Sequence, residues 1–145
     1  MPSLSSFAGP VVVAVLAVLS LLHVYWGFGG RLGWLSAFPE VESRPLFVPT
    51  AAQSFAVAAA LGVAAVVIAG TAGLISVPVS NRLLRIGSYG IAVVFLLRAI
   101  GEFRHVGFFK RNRRTRFARM DSLFYSPLCV LIAAGAFLVA RGTAP

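Results

Sequence analysis

Arg98, Glu102 and His105 are the residues of this sequence best placed to do chemistry, because each stands at the end of an otherwise apolar run. Their spacing of four and then three puts them on one face if the segment is helical. Such a face could line a ligand pocket, ligate a metal, or only hold helices together. His23 and Trp26 close an earlier apolar run, and Asp121 and Tyr125 open a later one. With Arg98, Glu102 and His105 they make one candidate polar cluster. Glu40, Arg44 and Gln53 lie near the same level of the chain's plan.

Each chemical reading meets an obstacle. Glu102-x-x-His105 has the carboxylate–histidine spacing of bundle metal sites, but those need a second copy and further glutamates, and the sequence has neither. A lone zinc tetrad of His23, Glu102, His105 and Asp121, or haem between His23 and His105, would need spans meeting at one depth. No metal and no cofactor is expected. His23 and Asp121 lack a nucleophile, since Ser126 has no recognisable nucleophile context. Gly27-Phe28-Gly29-Gly30 follows a helix and precedes no strand, so it is not a dinucleotide loop. Cys129 is the one cysteine. It can form no intrachain disulfide or CxxC pair, and its apolar setting suits a small buried hydrophobe.

The elements that carry these residues are long and apolar. Of 145 residues, 59% are hydrophobic and 12% charged, against about half and about a quarter in soluble domains. A span of the roughly 30 Å hydrocarbon core takes about 20 apolar residues in a helix. Four segments qualify, at about 9–28, 49–76, 83–105 and 122–140. The fold class is therefore all-α, a single membrane domain of four transmembrane helices. Residues 1–9 carry no charge, so the first segment lacks the basic start of a signal peptide and is expected to be retained. Charge is expensive at depth, so Arg98 and Glu102 each make best sense as the other's partner, or as that of Asp121 or His23. Asp121 suits the N-cap of the fourth helix, with a kink at Pro127; a start at Pro127 is the alternative. The third helix is expected to run to Phe103 or as far as Gly107.

A weak repeat joins the two halves. His23-Val24 and His105-Val106 each precede a Gly- and aromatic-rich exit, and Leu46-Phe47-Val48-Pro49 is echoed by Leu123-Phe124-Tyr125-Ser126-Pro127. Two pseudo-repeated hairpins would produce this pattern. Chance accounts for it equally well, since the matches are short and use common membrane residues.

Charge sets the orientation. The net charge is +9, and Arg104, Lys110, Arg111, Arg113, Arg114, Arg116 and Arg119 crowd one connector. The positive-inside rule places it in the cytoplasm and both termini outside. Lys110 and the arginines from 111 to 119 are expected to touch lipid headgroups, with Phe108, Phe109 and Phe117 dipped between them. A short connector is no nucleic-acid-binding domain. The expected partners are an anionic bilayer, with a membrane protein or a second copy as a further option.

The run from Arg98 through Glu102 to Lys110, then Thr115–Asp121 and Tyr125-Ser-Pro-Leu-Cys129, together with His23-Val-Tyr-Trp26-Gly-Phe-Gly-Gly30, resembles a known family. It is a family of small bacterial four-helix membrane proteins, a domain of unknown function numbered three-nine-nine-five. The resemblance covers nearly the whole chain. It implies the bacterial inner membrane and no assigned activity. The positions it carries over are His23, Trp26, Arg98, Glu102, Lys110, Asp121 and Tyr125. In the family an Asp often replaces Glu102, which keeps the carboxylate, and a Tyr often replaces His105, which removes a metal ligand. The sequence thus favours a structural or partner-binding membrane subunit over a ligand-binding protein or intramembrane enzyme.

Overall fold

The computed structural model describes residues 4–33, 40–41, 44–45, 48–111 and 113–142, with the backbone alone at 4–6, 40–41 and 44–45. Among them are four long helices: α1 (Leu4–Gly27), α2 (Ala51–Thr71), α3 (Asn81–Ile100) and α4 (Arg116–Gly142). All four are long and apolar enough to cross a membrane. Between α1 and α2, Glu40–Val41 (β1) and Arg44–Pro45 (β2) form a two-residue antiparallel ladder, too small to alter the all-α class.

The helices run up and down in a ring. α1 packs most extensively on α2, and α3 on α4, so the bundle is built of two hairpins; α1 also meets α4, and α2 meets α3. The core is aliphatic and small, with Leu16, Ile68, Ile132, Ala136 and Val139 buried at its centre. Small residues let helices approach closely in lipid. At Gly135 a Cβ would overlap the Val12 side chain, so glycine sets the α1–α4 spacing there. Large apolar side chains such as Leu21 and Leu131 are 67% exposed, which suits a lipid-facing surface and no aqueous one. The chain is a multi-pass membrane protein.

Local signals explain the helix ends. Thr50 caps α2 through a reciprocal box: Gln53 N–H donates to Thr50 Oγ1 at 3.2 Å, and Thr50 N–H donates to Gln53 Oε1 at 2.8 Å. Gln53 therefore serves the cap and not a polar cluster. Ser80 caps α3 by accepting from Leu83 N–H.

α1 starts earlier than expected, at Leu4, and α2 stops earlier, at Thr71, and two further boundaries differ in ways that rearrange the candidate cluster. α3 stops at Ile100, because Gly101 takes φ 81° and ends the helix, as glycine does at helix C-termini. Glu102 and His105 thus lie outside the helix, and the shared face with Arg98 does not form. α4 starts at Arg116, not at Ser122 or Pro127; Thr115 is its N-cap, accepting from Ala118 N–H at 3.1 Å. Asp121 lies inside this helix and caps nothing. There Asp121–Tyr125 form a π turn, closed by Ser126 N–H donating to the Asp121 carbonyl. Pro127 follows directly and has no N–H to give, so the wide turn sits where the α ladder would be broken anyway.

Candidate functional site

The helix ends joined by the α1–α2 and α3–α4 connectors carry the polar cluster, and Asp121 is its centre. Its side chain is fully buried. Oδ1 accepts from Arg98 Nη2 at 3.1 Å. Oδ2 accepts from the Gly107 N–H at 2.7 Å and from Lys110 Nζ at 2.8 Å. A carboxylate in an apolar setting persists only when paired and hydrogen-bonded. Three donors, two of them cationic, meet that need.

Lys110 is equally well fitted. An ammonium has three N–H donors, and Lys110 Nζ meets three acceptors: Asp121 Oδ2 and Ser122 Oγ at 2.8 Å, and the Gly107 carbonyl at 3.0 Å. It was expected among the headgroup-facing cations. Instead its side chain is fully buried, because Asp121 lies within reach beneath it.

The segment between α3 and α4 is folded around this pair. Phe108 N–H returns to the Ala99 carbonyl at 2.9 Å, and Arg111 N–H to that of Phe103 at 3.2 Å. Arg113 Nε donates to the Lys110 carbonyl at 3.2 Å. Gly107 (φ 88°) crosses Gly101 so closely that a Cβ on either would overlap the other strand's backbone. The result is a compact cap over the end of the α3–α4 hairpin. Arg104, Arg111, Arg113, Arg114, Arg116 and Arg119 are exposed on it, as are Phe108 and Phe109. Phe117 is not: it is buried and tilts against Tyr125, ring centroids 6.2 Å apart.

The remaining candidates divide. Glu102 and His105 pair with each other at 3.0 Å, and the Glu102 side chain is 57% exposed. Arg98 therefore pairs with Asp121 and not with Glu102. His23 Nδ1 donates to the Leu19 carbonyl at 2.8 Å, and its ring meets that of Trp26 edge-on at 4.9 Å. Trp26 Nε1 donates to the Leu32 carbonyl at 2.9 Å. His23, Trp26, Arg98 and Tyr125 line one cleft of about 340 Å³ where all four helices meet. Cys129, on the same wall, is the site residue that sequence reasoning set aside; its position one turn beyond Tyr125 was the available signal.

Among the described residues, no three of His, Cys, Asp and Glu gather as metal ligands would. Within the same set, no histidine is hydrogen-bonded to a serine, threonine or cysteine. Both Asp121 oxygens are occupied by donors, so this carboxylate is not a ready general base.

A family model described as a protein of unknown function (DUF3995) matches residues 16–136. The chain belongs to this family. The matched stretch holds every residue of the Asp121 cluster and of the cleft. No curated protein and no solved structure is detectably similar to the chain.

Proposed function

We propose that this family member is a structural or partner-binding subunit of the bacterial inner membrane, whose cap rests on anionic headgroups at the cytoplasmic face. The observation that carries the reading is the saturation of Asp121. Its three donors fix the connector in one shape and leave six arginines exposed on the outside of that shape. A carboxylate so fully paired serves architecture better than turnover. Phe108 and Phe109, exposed beside the arginines, suit the boundary between headgroups and acyl chains. Both termini would then lie on the periplasmic side.

The test is lipid retention. The purified chain is placed in mixed bilayer nanodiscs of phosphatidylglycerol and phosphatidylcholine, and the lipid that stays bound is identified by native mass spectrometry. Phosphatidylglycerol should be enriched. Each cation near an anionic surface contributes about 1 kcal/mol, so Arg111→Gln, Arg113→Gln and Arg114→Gln together should remove most of the enrichment. Equal retention of both lipids would overturn the reading, and a cytoplasmic C-terminal reporter would overturn the orientation.

A further inference from the structure

Among the described residues, the cluster around Asp121 does not balance its charge. Arg98 and Lys110 share one carboxylate, that of Asp121. Two cations and one anion leave a net charge of +1. Glu102, the other acidic side chain among the described residues, is turned to His105 and largely exposed. Arg98 Nη1 is buried and has no hydrogen-bond partner. The Arg98 side chain as a whole is 37% exposed, so its guanidinium can be reached, while a donor left unmet away from water is costly.

Beside this guanidinium lies the cleft. Leu19, Leu61, Phe95, Leu128 and Ile132 give it apolar walls, and Arg98, His23 and Tyr125 stand together among them. Its volume of about 340 Å³ falls within the ~300–1,000 Å³ of small-molecule sites. An apolar chamber with one cationic wall is complementary to a molecule with an apolar tail and an oxyanion head.

We infer that the cleft binds an anionic amphiphile, its tail against the leucines of α1, α2 and α4 and its oxyanion on the Arg98 guanidinium. The bound anion supplies a second negative charge beside Arg98 and Lys110, and it accepts from the partly exposed guanidinium. Asp121 keeps its present partners and holds the guanidinium in place. This site is separate from the outer arginines of the cap, none of which lines it. The oxyanion is a carboxylate or a phosphate ester, the two forms in which a bilayer supplies such amphiphiles.

The full chain in a neutral maltoside detergent is titrated with laurate, dodecyl phosphate and dodecanol, followed by equilibrium dialysis and by the thermal unfolding midpoint. Laurate or dodecyl phosphate should bind once per chain and raise the midpoint, and the tighter of the two identifies the headgroup. Dodecanol, with the same tail and no charge, should bind at least about tenfold more weakly. Arg98→Gln should abolish the difference between acid and alcohol. Because that variant also disturbs Asp121, Val57→Trp is the second arm: Val57 lines the cleft, is 43% exposed, and touches none of the ion pairs. Filling the cleft there should remove binding while the protein stays folded. The Arg111→Gln, Arg113→Gln, Arg114→Gln triple variant should bind as well as the parent, which separates this site from the cap surface. Equal binding of dodecanol and both anions, or undiminished binding by folded Val57→Trp, would overturn the inference.

Discussion

The two ends of the bundle solve the same problem with different chemistry. At the α2–α3 turn, the buried polar contact is neutral: Thr71 Oγ1 and Ser88 Oγ lie 2.8 Å apart, and Thr71 also donates to its own helix at the Val67 carbonyl. At the opposite end, the contact is ionic and draws in a carboxylate, a guanidinium, an ammonium and the Gly107 backbone. A hydroxyl stripped of its partner can turn back to the carbonyl of its own helix. A buried ion cannot, so it must recruit a whole segment to enclose it. The neutral end is closed by residues 72–80, whereas the ionic end takes the longer stretch 101–115 for its cap, well beyond the few residues of a tight helix connection.

Three substitutions would break or sharpen that contrast. Asp121→Asn should have the largest effect, because it strands two cations at once; loss of one member of a buried pair typically costs about 3–5 kcal/mol. Equilibrium unfolding in mixed micelles reads it directly. Lys110→Arg should come next, at about 1–3 kcal/mol, since a longer planar group overfills a site built around one ammonium. Thr71→Val should be smallest, about 0.6 kcal/mol, the average for hydrogen bonds between membrane helices. If Thr71→Val proves as damaging as Asp121→Asn, the two ends are not different in kind. The same assay separates the two carboxylates: Arg98→Leu and Asp121→Leu should be strongly non-additive, and Arg98→Leu with Glu102→Leu additive within about 0.5 kcal/mol.

The long-wavelength features were legible in the sequence. Four apolar runs gave four helices, and Arg98, Asp121, His23, Trp26 and Tyr125 do gather at one end of the bundle. What escaped was local backbone geometry. Gly101 follows Leu96–Ile100 in a pattern that reads as continuing helix, and only its positive φ ends it. Once the helix stops there, Glu102 leaves the face of Arg98, and Asp121 becomes the partner. Lys110 was grouped with its neighbours because charge in a basic run looks alike at every position. Its burial depends on Asp121, eleven residues away, and no periodicity links a loop residue to a helix at that distance. The early start of α4 escaped for a related reason: its first turn is basic, and its π turn interrupts the 3.6-residue rhythm that marks a helix.

The position of Lys110 has a practical consequence. The chain contains twelve arginines and a single lysine, and among the described residues that lysine is the one cation whose side chain is fully buried. Reagents that acylate amines need an accessible nitrogen, and Lys110 offers none while its three acceptors hold it. Its ε-amine is therefore a chemical clock for the opening of the cap. The rate at which acetyl groups appear at this one residue, followed by peptide mass mapping, measures how often the connector lifts from the bundle, in any bilayer and without an introduced label.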